Sequence, residues 1–94
     1  MRIRLFWTDR AVEHIALHGV DLKEVEEICR HPEALVRRSL RKTERSRYYV
    51  YGRTNAGRYL RVVIERIERG LFFPVTAFAM TAAEVRAYKT LTRR

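Results

Sequence analysis

The sequence predicts an α+β domain: an antiparallel sheet with two N-terminal helices packed on one face and a further helix at the C-terminus. Three observations lead there. Residues 46–67 read as two Tyr- and Val-rich runs about an Asn55-Ala56-Gly57 connection, a strand-turn-strand pattern. Thr8, Asp21 and Thr81 each precede apolar residues spaced three and four apart, the pattern of capped amphipathic helices. The 94 residues carry no repeat, linker or low-complexity stretch, so 1–94 is one domain, near the small end of what buries its own core.

A first strand is expected over residues 2–7, with Ile3 and Leu5 on one face. Thr8 caps a helix running to about His18, with Val12, Ile15 and Ala16 as its apolar stripe and Gly19 as its stop. Asp21 caps a second helix, and Glu24 three residues on completes a capping box. Leu22, Val25, Ile28 and Cys29 face inward, and His31-Pro32 ends the helix. A short strand over 34–38 precedes a polar, basic loop over 39–45 that contains Arg41, Lys42 and Arg45.

The hairpin comes next. A three-residue loop with Gly57 at positive φ sets Thr54 opposite Arg58 and fixes the register outward from the turn. Side chains alternate along a strand, so Tyr48, Val50 and Gly52 share one face with Leu60, Val62 and Ile64. The other face carries Arg47, Tyr49, Tyr51 and Arg53 beside Tyr59, Arg61, Val63 and Glu65. Residues 68–70 turn the chain into a last strand over 71–79. Pro74 lacks an amide hydrogen, which places that strand at an edge or beside a bulge. Thr81 and Glu84 form another capping box, opening a helix that bears Val85, Tyr88 and Leu91. The first two helices are expected to cover the Leu60 face and to leave the Tyr and Arg face open.

Three phenols and three guanidiniums on one face suit an anionic, stackable ligand such as RNA: Arg forks match phosphate oxygens, and aromatic planes stack on unpaired bases. The RNA-binding candidates are Arg47, Tyr49, Tyr51 and Tyr59, with Arg41 and Lys42 of the preceding loop. A solvated outer face, with Tyr chosen for strand propensity and Arg for solubility, has the same pattern. Charge distribution favours the ligand. Lys and Arg number 20 against 11 Asp and Glu; residues 9–33 hold seven acids and three bases, whereas 34–94 hold four acids and fifteen bases. Such a surface attracts nucleic acid or acidic protein partners.

The single Cys29 excludes an internal disulfide and falls on an apolar stripe, which implies a reducing compartment. No apolar run approaches a membrane span, and residues 1–5 alternate like a strand, not like a signal sequence; a cytoplasmic protein with no membrane partner is expected. His14 and His18 stand four apart, but Ile15 occupies the position where a metalloprotease helix carries Glu and a third ligand is missing, so no metal site and no cofactor are expected. The register sets Glu65 opposite Arg47, which reads as a cross-strand ion pair, with a catalytic base as the alternative. Tyr88 reads equally as a proton donor or as core.

Phe6-Trp7 before a helix ending in His18-Gly19-Val20, the turn Gly52-Arg53-Thr54-Asn55-Ala56-Gly57-Arg58, and Val75-Thr76-Ala77 before Thr81, Glu84 and Tyr88 together resemble the BrnT-type toxins of bacterial type II toxin-antitoxin systems. The likeness runs from about Phe6 to Lys89. It implies a small RelE-like fold and a metal-independent ribonuclease that blocks translation by cleaving RNA, free or ribosome-associated. It also implies a cognate antitoxin, through whose complex alone DNA would be contacted. Carried onto this chain, the catalytic roles fall on Arg53, Arg58, Arg61 and Tyr88. Where the family has arginine in a Ser-Ala-Arg context on the last strand, this chain has Thr76-Ala77-Phe78. That departure leaves open a catalytically inactive module of the same fold that binds nucleic acid or protein.

Overall fold

The structure is a computed structural model that describes residues 2–44 and 46–93; Arg45, which its sequence places in the basic loop, lies outside the described residues. Among these, the chain forms β1 (Arg4–Leu5), α1 (Asp9–Ala16), α2 (Leu22–Arg30), β2 (Leu35–Arg38), a single 3-10 turn at Lys42–Glu44, β3 (Arg47–Arg53), β4 (Tyr59–Glu68), β5 (Leu71–Ala79) and α3 (Ala82–Thr92). The strands make one sheet in the order β1-β5-β4-β3-β2.

The predicted register holds along the whole hairpin, from Arg53 opposite Tyr59 to Arg47 opposite Glu65. Gly57 takes φ 94°, a value that costs a side chain dearly and glycine little. Thr54 locks the loop: its hydroxyl accepts from the Arg58 amide at 3.0 Å, and its carbonyl accepts from Gly57 at 2.9 Å. Pro74 sits beside a register shift between Val63 and Ile64, and β1 covers only Leu71 and Phe72 of β5, so the strand tolerates the missing donor.

β1 departs from the sequence reading. It is two residues long and runs parallel to β5, held by the Arg4 amide on the Gly70 carbonyl and the Phe6 amide on the Phe72 carbonyl, each at 2.9 Å. Alternation of side chains carries no information about which neighbour a strand selects, or in which direction.

Local signals at the helix ends are realised as read. The Thr8 hydroxyl accepts from the Ala11 amide, and both capping boxes, Asp21 with Glu24 and Thr81 with Glu84, are closed in both directions. The fully buried Ile15, Val20, Val25 and Ile28 meet Val50, Leu60, Val62, Ile64 and Phe72 of the sheet, which is the core. Gly52 makes this docking possible, since a Cβ there would lie 3.2 Å from two carbons of the Ile28 side chain. Burial of Cys29, with the nearby Glu26 charge adding to it, pushes the thiol up to about 12.

The opposite face is not left open. Met80 donates to the Tyr59 carbonyl at 3.0 Å, and Thr81 then caps α3, which turns over the far side of the sheet. α1 and α2 already occupy the first face, so the side that still offers apolar contact receives the helix. α3 crosses one end of the Tyr and Arg face, over Tyr59, Arg61, Tyr51 and Leu35, and Arg47 and Tyr49 at the other end are half-buried.

Candidate active site

α3 builds a cleft rather than sealing the face. At the hairpin end, Arg53, Tyr59, Tyr88, Lys89, His31 and Glu33 surround an open cleft of about 370 Å³. The Arg53 guanidinium lies 5.5 Å from the centre of the Tyr59 ring and the Lys89 ammonium 5.4 Å from it, so one aromatic ring is in contact with two cations. Tyr88 meets the same ring edge-on at 6.0 Å.

The Tyr88 hydroxyl donates to the Glu33 backbone carbonyl at 3.1 Å, which ties α3 to the segment between α2 and β2. Burial raises its pKa above the ordinary phenol value; the charge on Glu33 and the neighbouring Tyr59 add to this, and Arg53 opposes it. The phenol is thus a firmly protonated group whose oxygen lone pairs remain acceptors. His31 Nδ1 accepts from the Glu33 amide at 3.0 Å, a bond that assigns the ring proton to Nε2. The cleft therefore combines cations, a carboxylate, an imidazole donor and a stacking ring.

The other sequence-predicted residues divide by position. Arg61 stays on the Tyr face but is committed to α3: its Nη1 meets Glu84 at 3.1 Å, and its guanidinium lies 5.3 Å from the Phe78 ring centre. Its Nε is buried without a hydrogen-bond partner. Arg58 falls on the helix side, because alternation places it in phase with Leu60. There it pairs with Glu24 at 2.7 Å and donates to the Gly19 carbonyl at 3.0 Å. Tyr51 lines the apolar groove beneath α3 with Leu35 and Leu91. Arg47 pairs with Glu65 at 3.3 Å, the expected cross-strand ion pair, with the half-buried Tyr49 as its neighbour on the same face. Arg41 and Lys42 are exposed on the loop before β3.

Of the predicted set, the fold brings Arg53, Tyr59 and Tyr88 into one place and adds His31, Glu33 and Lys89, which sequence reasoning did not select. His31 and Glu33 flank the helix-stopping Pro32 and read only as punctuation. Lys89 follows Tyr88 directly, and that adjacency was the one signal available.

Among the described residues, no group of three or more His, Cys, Asp or Glu side chains is placed to hold a metal, and no helix is long and apolar enough to cross a membrane. No curated protein matches the chain in sequence. Among solved structures it is similar to the crystal structure of the Brucella abortus ribonuclease toxin BrnT, with a TM-score of 0.63 and 16% identity over 84% of this chain and 97% of that one. The chain has a BrnT-like fold. A family model described as a domain of unknown function, DUF4258, matches residues 7–79, the span from Trp7 through the last strand, and the chain belongs to that family.

Proposed function

We propose that this chain is a metal-independent ribonuclease toxin of a type II toxin-antitoxin pair and that the cleft between Arg53 and Lys89 is its active site. The observation that carries the reading is the convergence of these two cations on Tyr59, beside a carboxylate and a protonated phenol, in a cleft open to solvent. Shared architecture with a ribonuclease toxin supports it.

Cleaving RNA without a metal requires a base for the ribose 2′-hydroxyl, positive charge at the phosphorane and a proton for the departing oxygen. The Glu33 carboxylate takes the 2′-hydroxyl proton, and Tyr88 holds the Glu33 segment in place through its hydroxyl bond to the Glu33 carbonyl. O2′ attacks phosphorus and the bond to O5′ breaks, leaving a 2′,3′-cyclic phosphate. The Arg53 fork and the His31 Nε2–H hold the non-bridging oxygens, and the Lys89 ammonium protonates O5′. Tyr59 stacks on the base. Arg61 and Arg58 serve by position: the first holds α3 through Glu84, the second holds the hairpin turn on α2. Arg47, Tyr49, Arg41 and Lys42 extend the RNA track toward the loop before β3. The antitoxin is an acidic, amphipathic partner whose apolar side chains enter the groove between Leu35 and Leu91.

The test uses purified protein, a labelled RNA, its all-deoxy counterpart and excess chelator. Cleavage is expected to persist in chelator, to spare the deoxy strand and to leave cyclic phosphate ends. Arg53→Ala and Glu33→Gln are each expected to slow it about 100-fold or more at an unchanged melting temperature. Loss of activity in chelator, or cleavage of the deoxy strand, overturns the mechanism. Tight RNA binding with no cleavage would favour the inactive module, which Phe78 beneath Arg61 keeps as the second reading.

A further inference from the structure

The far end of the sheet carries arginines that the proposed chemistry does not use. Arg2, Arg4, Arg66 and Arg69 are exposed and, among the described residues, hold no ion pair. They surround two adjoining clefts that share Arg2. The larger, about 650 Å³, runs between β1 and α2 and includes Arg30, whose own partner is Glu26 at 3.3 Å. The smaller lies between Arg2, Arg66, Arg69 and Tyr48. The arginines sit on braced backbone, because the Arg4 amide is bonded to the Gly70 carbonyl and Arg66 donates to the Ser46 carbonyl at 2.8 Å. Five guanidiniums face one carboxylate here, and that carboxylate also accepts from the Trp7 indole at 2.9 Å.

We infer that this end is a second RNA site, one that takes the phosphodiester backbone of a base-paired segment. Guanidinium forks suit phosphate oxygens. Bases are not read here, since Tyr48, the one aromatic side chain with access, has its ring set against Phe72 at 5.6 Å and 89°. Contact through phosphates alone matches a helical segment whose bases are turned inward. The site is separate from the cleft around Tyr59. Arg66 lies on the helix-side face and Tyr59 on the other, seven residues apart along β4, roughly 23 Å. Structured RNA is gripped at one end while an unpaired stretch reaches the other.

The inference rests on RNA being the ligand, and the experiment separates the two. A labelled RNA hairpin, an unstructured RNA of equal length and a DNA duplex are titrated with the full chain, the triple variant Arg2→Ala/Arg66→Ala/Arg69→Ala and the double variant Arg53→Ala/Lys89→Ala, at several salt concentrations. For the triple variant we expect hairpin affinity to fall at least tenfold, and its salt slope to flatten by about two to three at 0.7–0.9 per phosphate lost. Binding and cleavage of the unstructured RNA stay at wild-type level. Unchanged hairpin binding by a triple variant with wild-type circular dichroism overturns the inference and leaves the cleavage reading standing. Equal losses for both RNAs, tighter binding of the DNA duplex, or no hairpin binding by the wild type also overturn it. Hairpin binding that depends on the three arginines, with no effect of the double variant on any RNA, overturns the cleavage reading instead.

Discussion

Cys29 shows how one buried group makes stability depend on pH. Its thiol is pushed from 9.0 to about 12, chiefly by burial. Below pH 9 the thiol is protonated in native and unfolded chains alike, and the shift has no effect on stability. Between pH 9 and 12 the unfolded chain releases the proton while the native chain keeps it, so stability falls as pH rises, by up to about 1.4 kcal/mol per pH unit from this group. Denaturant unfolding at pH 8 and at pH 10.5 is expected to give a smaller difference for Cys29→Ala than for the wild type. An equal difference would mean that the thiol ionises in the native state. Because the thiolate is the nucleophile, native Cys29 is also expected to resist alkylation at pH 8 and to react once unfolded.

At the level of elements, α3 depends on a few polar anchors. Glu84 is used twice: Oε1 closes the capping box on the Thr81 amide, and Oε2 receives Arg61. Tyr88 is the one buried side chain of the helix. Removing the cap by Thr81→Ala is expected to cost about 1 kcal/mol. Tyr88→Phe loses the part-buried hydroxyl bond to the Glu33 carbonyl, a cost of about 0.5–1.5 kcal/mol. Faster amide hydrogen exchange confined to α3 and the Glu33 segment would confirm that both act on docking; a uniform rise across the sheet would show that α3 is integral to the global fold. α2 stands in contrast, since Ile28 over Gly52 fixes it from the core side, while Glu24 and Glu27 hold the hairpin turn at Arg58 and the Asn55 amide.

For the molecule as a whole, two electrostatic effects compete. A net charge of +9 on 94 residues repels itself in the compact state, whereas pairs such as Arg58 with Glu24 and Arg47 with Glu65 are partly exposed and worth about 0–1 kcal/mol each. Repulsion is therefore expected to dominate. The thermal midpoint should rise by roughly 4–16 °C between 0.05 and 0.5 M NaCl, as one or two kcal/mol of relieved repulsion implies for a domain of this size. A falling midpoint would show that the ion pairs prevail. Nucleic-acid affinity should move the opposite way over the same range.

The register of the hairpin, the helix caps, the positive φ at Gly57 and the composition of the two hairpin faces were determined by the sequence alone, because each follows from interactions between residues close along the chain or facing across a tight turn. The direction of β1, the crossing of α3, and the meeting of Arg53 with His31, Glu33 and Lys89 were decided by tertiary structure. These depend on which apolar surface remains uncovered once α1 and α2 have docked, and no local pattern encodes that. Arg58 and Arg61 carry the lesson: the family resemblance implied a site role for both, whereas strand alternation turns Arg58 to Glu24 on the helix side and the packing of α3 draws Arg61 to Glu84.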